Sequence, residues 1–108
     1  MYMQLTWAKL TKADNWPQIE EIYRARGHVE TPGLLSRWVA RDSEDPESFF
    51  GLTLWADLAS TRAWDASPER EKFVAMLRPF LVGSFSASVC EVMIEDLSGY
   101  IRRHAGQA

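Results

Sequence analysis

The sequence predicts an α+β domain of the ferredoxin-like kind: a four-stranded antiparallel sheet with its helices on one face. A second copy pairs with it, sheet against sheet, in a shared barrel. Three observations carry this. The elements run strand, helix, strand, strand, helix pair, strand, which is the split βαβ order. Right-handed crossovers place both helical connections on one side of such a sheet. The strands are apolar on both faces, whereas a sheet with one wet face alternates apolar and polar. Phe49 and Phe50, Leu52 and Leu54, Val89 and Val92, and Met93 and Ile94 break that alternation.

Residues 2–10 alternate aromatic, β-branched and apolar types and form the first strand. Met3, Leu5 and Trp7 share one face; Gln4, Thr6, Ala8 and Leu10 share the other. A helix follows, capped by Asp14 or Asn15, with Pro17 in its first turn and Gly27 as its stop. Its apolar face holds Trp16, Ile19, Ile22, Tyr23 and Arg26. Residues 30–33, Glu-Thr-Pro-Gly, make a turn. In the second strand, 34–41, Leu34, Ser36, Trp38 and Ala40 are expected on one face, and Leu35, Arg37, Val39 and Arg41 on the other.

The short polar link 42–47 implies an antiparallel hairpin into the third strand, 49–55. A second helix covers 57–66, and Ser67 caps a third over 69–81, opened by Pro68. Phe73, Met76, Leu77 and Phe80 form its apolar stripe, and Pro79 kinks or ends it. The fourth strand is 85–95. The domain spans 1–97 and a polar tail 98–108.

Composition narrows the partners. Of 108 residues, 46% are hydrophobic and 25% charged, which suits one folded core and excludes disorder. The net charge of −3 gives no footprint for nucleic acid or an anionic membrane. Arg102, Arg103 and His104 are only a short basic tail. No apolar run approaches the ~18 residues of a membrane span, and residues 1–12 do not read as a signal peptide. The one cysteine, Cys90, cannot form a disulfide within the chain, which favours a reducing compartment, the cytoplasm. One cysteine and two separated histidines offer no metal spacing, so no metal is expected.

Several blocks carry a resemblance. These are Leu10-Thr11-Lys12, then Ile19-Glu20 with Tyr23 and Gly27, then Pro32-Gly33-Leu34. Leu54-Trp55-Ala56-Asp57 and Ala63-Trp64-Asp65-Ala66-Ser67-Pro68 complete the set. The chain resembles the antibiotic biosynthesis monooxygenase domain of the dimeric α+β barrel superfamily, over most of its length. The resemblance implies a homodimer with a ligand pocket in each subunit, between the helices and the sheet. It also implies cofactor-independent oxidation, by O2, of a small quinol- or anthrone-like aromatic. A non-catalytic dimer that binds a small apolar ligand remains the alternative, and a purely structural role in assembly a third. The haem-degrading branch of the family has a first-strand Asn and a third-helix His; here those positions fall on Thr6 and Val74. Valine cannot ligate iron, so haem degradation is disfavoured.

The implied lining is Trp64 with Thr6, Trp38 and Phe73. Trp64 either stacks on a flat substrate or packs as an ordinary core residue. Tyr23 either donates to a substrate oxygen or keeps its hydroxyl in water. Arg26 either stabilises a developing anion or snorkels from its apolar face. His28 either accepts a proton or lies exposed beyond its helix. Trp7 is expected in the dimer barrel. Lys9, Arg37, Arg41 and Glu91 are expected on that same far face, either paired across the barrel or solvated.

Overall fold

The computed structural model describes residues 1–26 and 30–96. Gly27, His28 and the tail 98–108 lie outside the described residues. Four strands, β1 (Tyr2–Lys9), β2 (Leu34–Arg41), β3 (Ser48–Trp55) and β4 (Ser86–Glu91), form one antiparallel sheet in the order β2-β3-β1-β4. The helices are α1 (Trp16–Arg26), α2 (Leu58–Asp65) and α3 (Pro68–Leu77). This is the ferredoxin-like order expected from the sequence.

Local chemistry sets the helix ends. The Asp57 carboxylate accepts from the Ser60 backbone N–H at 2.7 Å and caps α2. Ser67 caps α3 by accepting from the Arg70 N–H, and its hydroxyl donates to the Trp64 carbonyl at 2.7 Å. One side chain thereby fixes the corner that carries Trp64. Pro79 lacks an N–H, and α3 gives way to a 3-10 turn at Arg78–Phe80. The expected cap of α1 is absent. A 3-10 turn, Ala13–Asn15, precedes it, and Asn15 turns its amide back to donate to Thr11 Oγ1.

Ala8, Leu10, Ile19, Phe49, Leu77 and Leu81 form the buried core between helices and sheet. Phe73, Leu77 and Phe80 pack on this core as expected, but Met76 is 53% exposed and Val74 is buried in its place. The fourth strand stops at Glu91, short of residue 95. Its partner β1 begins at Tyr2, paired with Glu91, and the Val92 N–H takes the carbonyl of Met1.

The largest correction concerns β2. Leu34 pairs with Trp55 but Ser36 pairs with Leu54, so the register shifts between them. Such a bulge inserts one residue and reverses the alternation beyond it. Leu34 therefore faces the helices, whereas Ser36, Trp38 and Ala40 turn to the open face beside Leu54, Leu52 and Phe50. Arg37, Val39 and Arg41 turn inward. Glu91 pairs with Tyr2, on the same side as Gln4. Of the charges expected on the far face, only Lys9 is there, 3.7 Å from Asp45.

Gly33 holds φ +80°, and a Cβ there would overlap the Ser60 side chain. Its carbonyl accepts from the Ala56 N–H at 2.8 Å, tying the entry of β2 to the exit of β3. Gly33→Ala is expected to cost about 2 kcal/mol, a fall in Tm on the order of 10 °C by thermal melting. Adding Ser60→Ala removes the hydroxyl but keeps the Ser60 Cβ, which overlaps as well, and leaves the backbone strain, so the double variant recovers little of the loss.

Candidate functional site

A cavity of about 90 Å³ opens between the inward face of the sheet and the three helices. Each wall comes from a definable position. Gln4, Thr6 and Ala8 are the inward residues of β1, and Phe49, Gly51, Thr53 and Trp55 those of β3. Tyr23 and Arg26, three apart on α1, share one helix face. Trp64 enters from α2, and Phe73 and Val74 from α3.

The Tyr23 ring is held edge-on by two neighbours, Phe73 with centroids at 4.9 Å and Phe49 at 6.4 Å. Its hydroxyl has no hydrogen-bond partner among the described residues. The oxygen lies 3.7 Å from where a Cβ on Gly51 would be, so the missing side chain at Gly51 is what leaves room beside it. Burial pushes the Tyr23 phenol up to about 12, partly opposed by the Arg37 charge. The group is a neutral hydrogen-bond donor near pH 7 and cannot serve as a base.

The Arg26 guanidinium lies over Trp64, its carbon 4.0 Å from the ring centroid, and donates to Thr31 Oγ1 at 3.3 Å. Burial, then the neighbouring Arg37 charge, lowers the Arg26 pKa, while Glu69 opposes the fall. Trp64 also stacks near Trp55, with centroids 6.5 Å apart and planes at 30°. A flat ligand thus meets Trp64 with Arg26 already on its ring and stacks there only by moving the guanidinium aside. Arg26 and Trp64 border a second, outer groove too, which carries Glu30, Asp57 and Glu69.

Of the residues expected at a site, Tyr23, Arg26, Trp64, Thr6 and Phe73 come together around this cavity. Trp38 also borders it, yet its register sets it with Leu52 and Leu5 on the open face, 45% exposed. His28 lies outside the described residues. Val74 forms cavity wall and offers no ligand atom. Sequence reasoning missed Arg37 and Gly51. Arg37 was hidden by the bulge. Gly51 carried a usable signal, since a lone glycine inside an apolar strand marks a bend or a close approach.

An antiparallel sheet with helices on one face, over an aromatic cavity bearing a phenol and guanidinium groups, defines a small α+β domain built around an internal pocket. The chain belongs to the antibiotic biosynthesis monooxygenase family, whose model matches residues 2–76. No curated protein matches it in sequence. Among solved structures it is similar to SnoaB of Streptomyces nogalater, a cofactor-independent oxygenase. That match has 14% identity and a TM-score of 0.73, and covers 87% of this chain and 94% of that one. It is similar as well to a protein of Nitrosomonas europaea proposed to be an antibiotic biosynthesis monooxygenase. There the identity is 14%, the TM-score 0.72 and the coverage 87% and 100%. At such identities the likeness is one of fold.

Proposed function

We propose that the protein is a cofactor-independent monooxygenase that oxidises a small quinol- or anthrone-like aromatic with O2. The observation that carries this is the pairing, on one face of α1, of an unpartnered Tyr23 hydroxyl and the Arg26 guanidinium over an aromatic cavity. Family membership supports it. An ionised anthrone is itself the reductant. Its ring methylene becomes a carbonyl; one atom of O2 enters the product, and the other leaves as water with the two methylene hydrogens. The protein holds the ring dry and oriented, and Tyr23 and Arg26 stabilise the oxygen on which charge develops. Thr6 lies on the facing strand as an additional donor. His28, two residues past α1, is our candidate proton acceptor.

One observation favours the alternative, a binding protein without turnover. The described residues lining the cavity include no carboxylate and no imidazole, and Tyr23 is held protonated. Oxygen uptake separates the two readings. Purified protein under air should consume one O2 per anthrone oxidised, at a rate that scales with enzyme. Quenching of Trp fluorescence by anthrones, with no uptake above the uncatalysed rate, rejects the oxygenase and leaves the binder.

We further infer a homodimer. Leu5, Trp7, Trp38 and Phe50, on the sheet face without helices, are each 37–45% exposed. Grouped large apolar side chains of this kind exceed what isolated monomers usually show, and a second copy would cover them. No helix among the described residues is long and apolar enough to cross a membrane. The single cysteine suits a reducing compartment, and we place the protein in the cytoplasm on that ground.

A further inference from the structure

We propose that the substrate carries a permanent anionic group, a carboxylate, bound by Arg26 and Arg37. The inference rests on the cavity being the substrate site and names the class of molecule it takes. Arg26 and Arg37 both line the cavity, and the described lining contains no aspartate or glutamate. Neither guanidinium has a carboxylate within ion-pair distance among the described residues; the ion pairs there are Lys9–Asp45, Arg24–Glu20 and Arg70–Asp65. Arg70, the remaining cation of the lining, already has Asp65 at 3.5 Å.

The two unpaired cations are close enough for Arg37 to disfavour the charge on Arg26. Each is also held in place by a neutral group. Arg26 donates to Thr31 Oγ1, and Arg37 donates to the Tyr23 carbonyl at 2.9 Å. Both therefore keep N–H groups free. Two like charges fixed beside an apolar cavity repel one another, and a bound anion relieves that repulsion while gaining charge-assisted hydrogen bonds. A developing enolate has the Tyr23 hydroxyl and needs at most one of these cations. Glu69 borders the outer groove and favours the Arg26 charge, but it lies beyond ion-pair distance. The aromatic walls take the ring, and the guanidinium pair takes its carboxylate.

Titrating the full chain with 2-naphthoate and with its methyl ester, followed by Trp fluorescence, tests this without turnover. The acid should bind at least about tenfold more tightly than the ester at low ionic strength. Added salt should weaken the acid and leave the ester unchanged. Arg26→Gln and Arg37→Gln should each bring the ratio close to one and flatten the salt dependence of acid binding, which loss of a merely structural arginine would not do. An ester that binds as tightly as the acid, or a ratio insensitive to both substitutions and to salt, overturns the proposal. In that case turnover of neutral anthrones leaves the oxygenase reading standing. Absence of binding by either probe, together with absence of oxygen uptake on neutral and carboxylated anthrones, overturns both.

Discussion

Tyr23→Phe should lower kcat for anthrone oxidation about a hundredfold and leave the fold intact. Removing a donor aimed at a developing oxyanion typically costs a factor of this order. The substitution keeps the ring between Phe73 and Phe49, and the lost hydroxyl satisfies no group among the described residues. A melting temperature close to wild type with kcat reduced and KM little changed is the expected pattern. Unchanged kcat would remove Tyr23 from the chemistry. The same variant has a second readout. The phenol ionises near 10 in the unfolded chain but near 12 in the fold, so the unfolded state sheds its proton first. Stability is therefore complete below pH 10 and falls as pH rises through the folded value, by up to about 3 kcal/mol. Tyr23→Phe should flatten that alkaline limb in denaturant melts across pH 9 to 12.

Phe50→Glu should convert the dimer to a monomer. Phe50 sits between Trp7 and Ala40 on the helix-free face, and its neighbours Leu5 and Trp38 are similarly exposed. A carboxylate buried at the centre of such a contact, where the nearby cation Lys9 already has Asp45 at 3.7 Å, should raise the dimer Kd by about a hundredfold or more. Sedimentation should show the wild-type protein at twice the 12.4 kDa of one chain and the variant at the single-chain mass. The variant should also melt earlier, because its open face then stays wet. A wild-type chain that sediments as a stable, well-folded monomer at micromolar concentration removes the dimer from the account.

Much of this fold was legible in the chain because its signals are local. The cap at Ser67, the break at Pro79 and the hairpin link 42–47 depend on neighbours a few residues away. So does the two-sided greasiness of β3, which carries Phe49 and Trp55 inward and Phe50, Leu52 and Leu54 outward. Tyr23 and Arg26 reach a common wall because helical spacing places them there. Those facts belong to the sequence alone.

Tertiary structure decided what crosses between elements. A bulge of one residue in β2 sent Trp38 to the open face and brought Arg37 into the cavity, and nothing in 34–41 by itself specifies that slip. It depends on which β3 residue each β2 residue meets. Gly51 became the space beside the Tyr23 hydroxyl only once α1 lay across β3. Arg26 found the Trp64 ring only once the Ser67 corner had fixed α2. Periodicity tells a residue which side of its own element it occupies; register and packing decide what stands opposite, because those contacts join residues far apart in the chain.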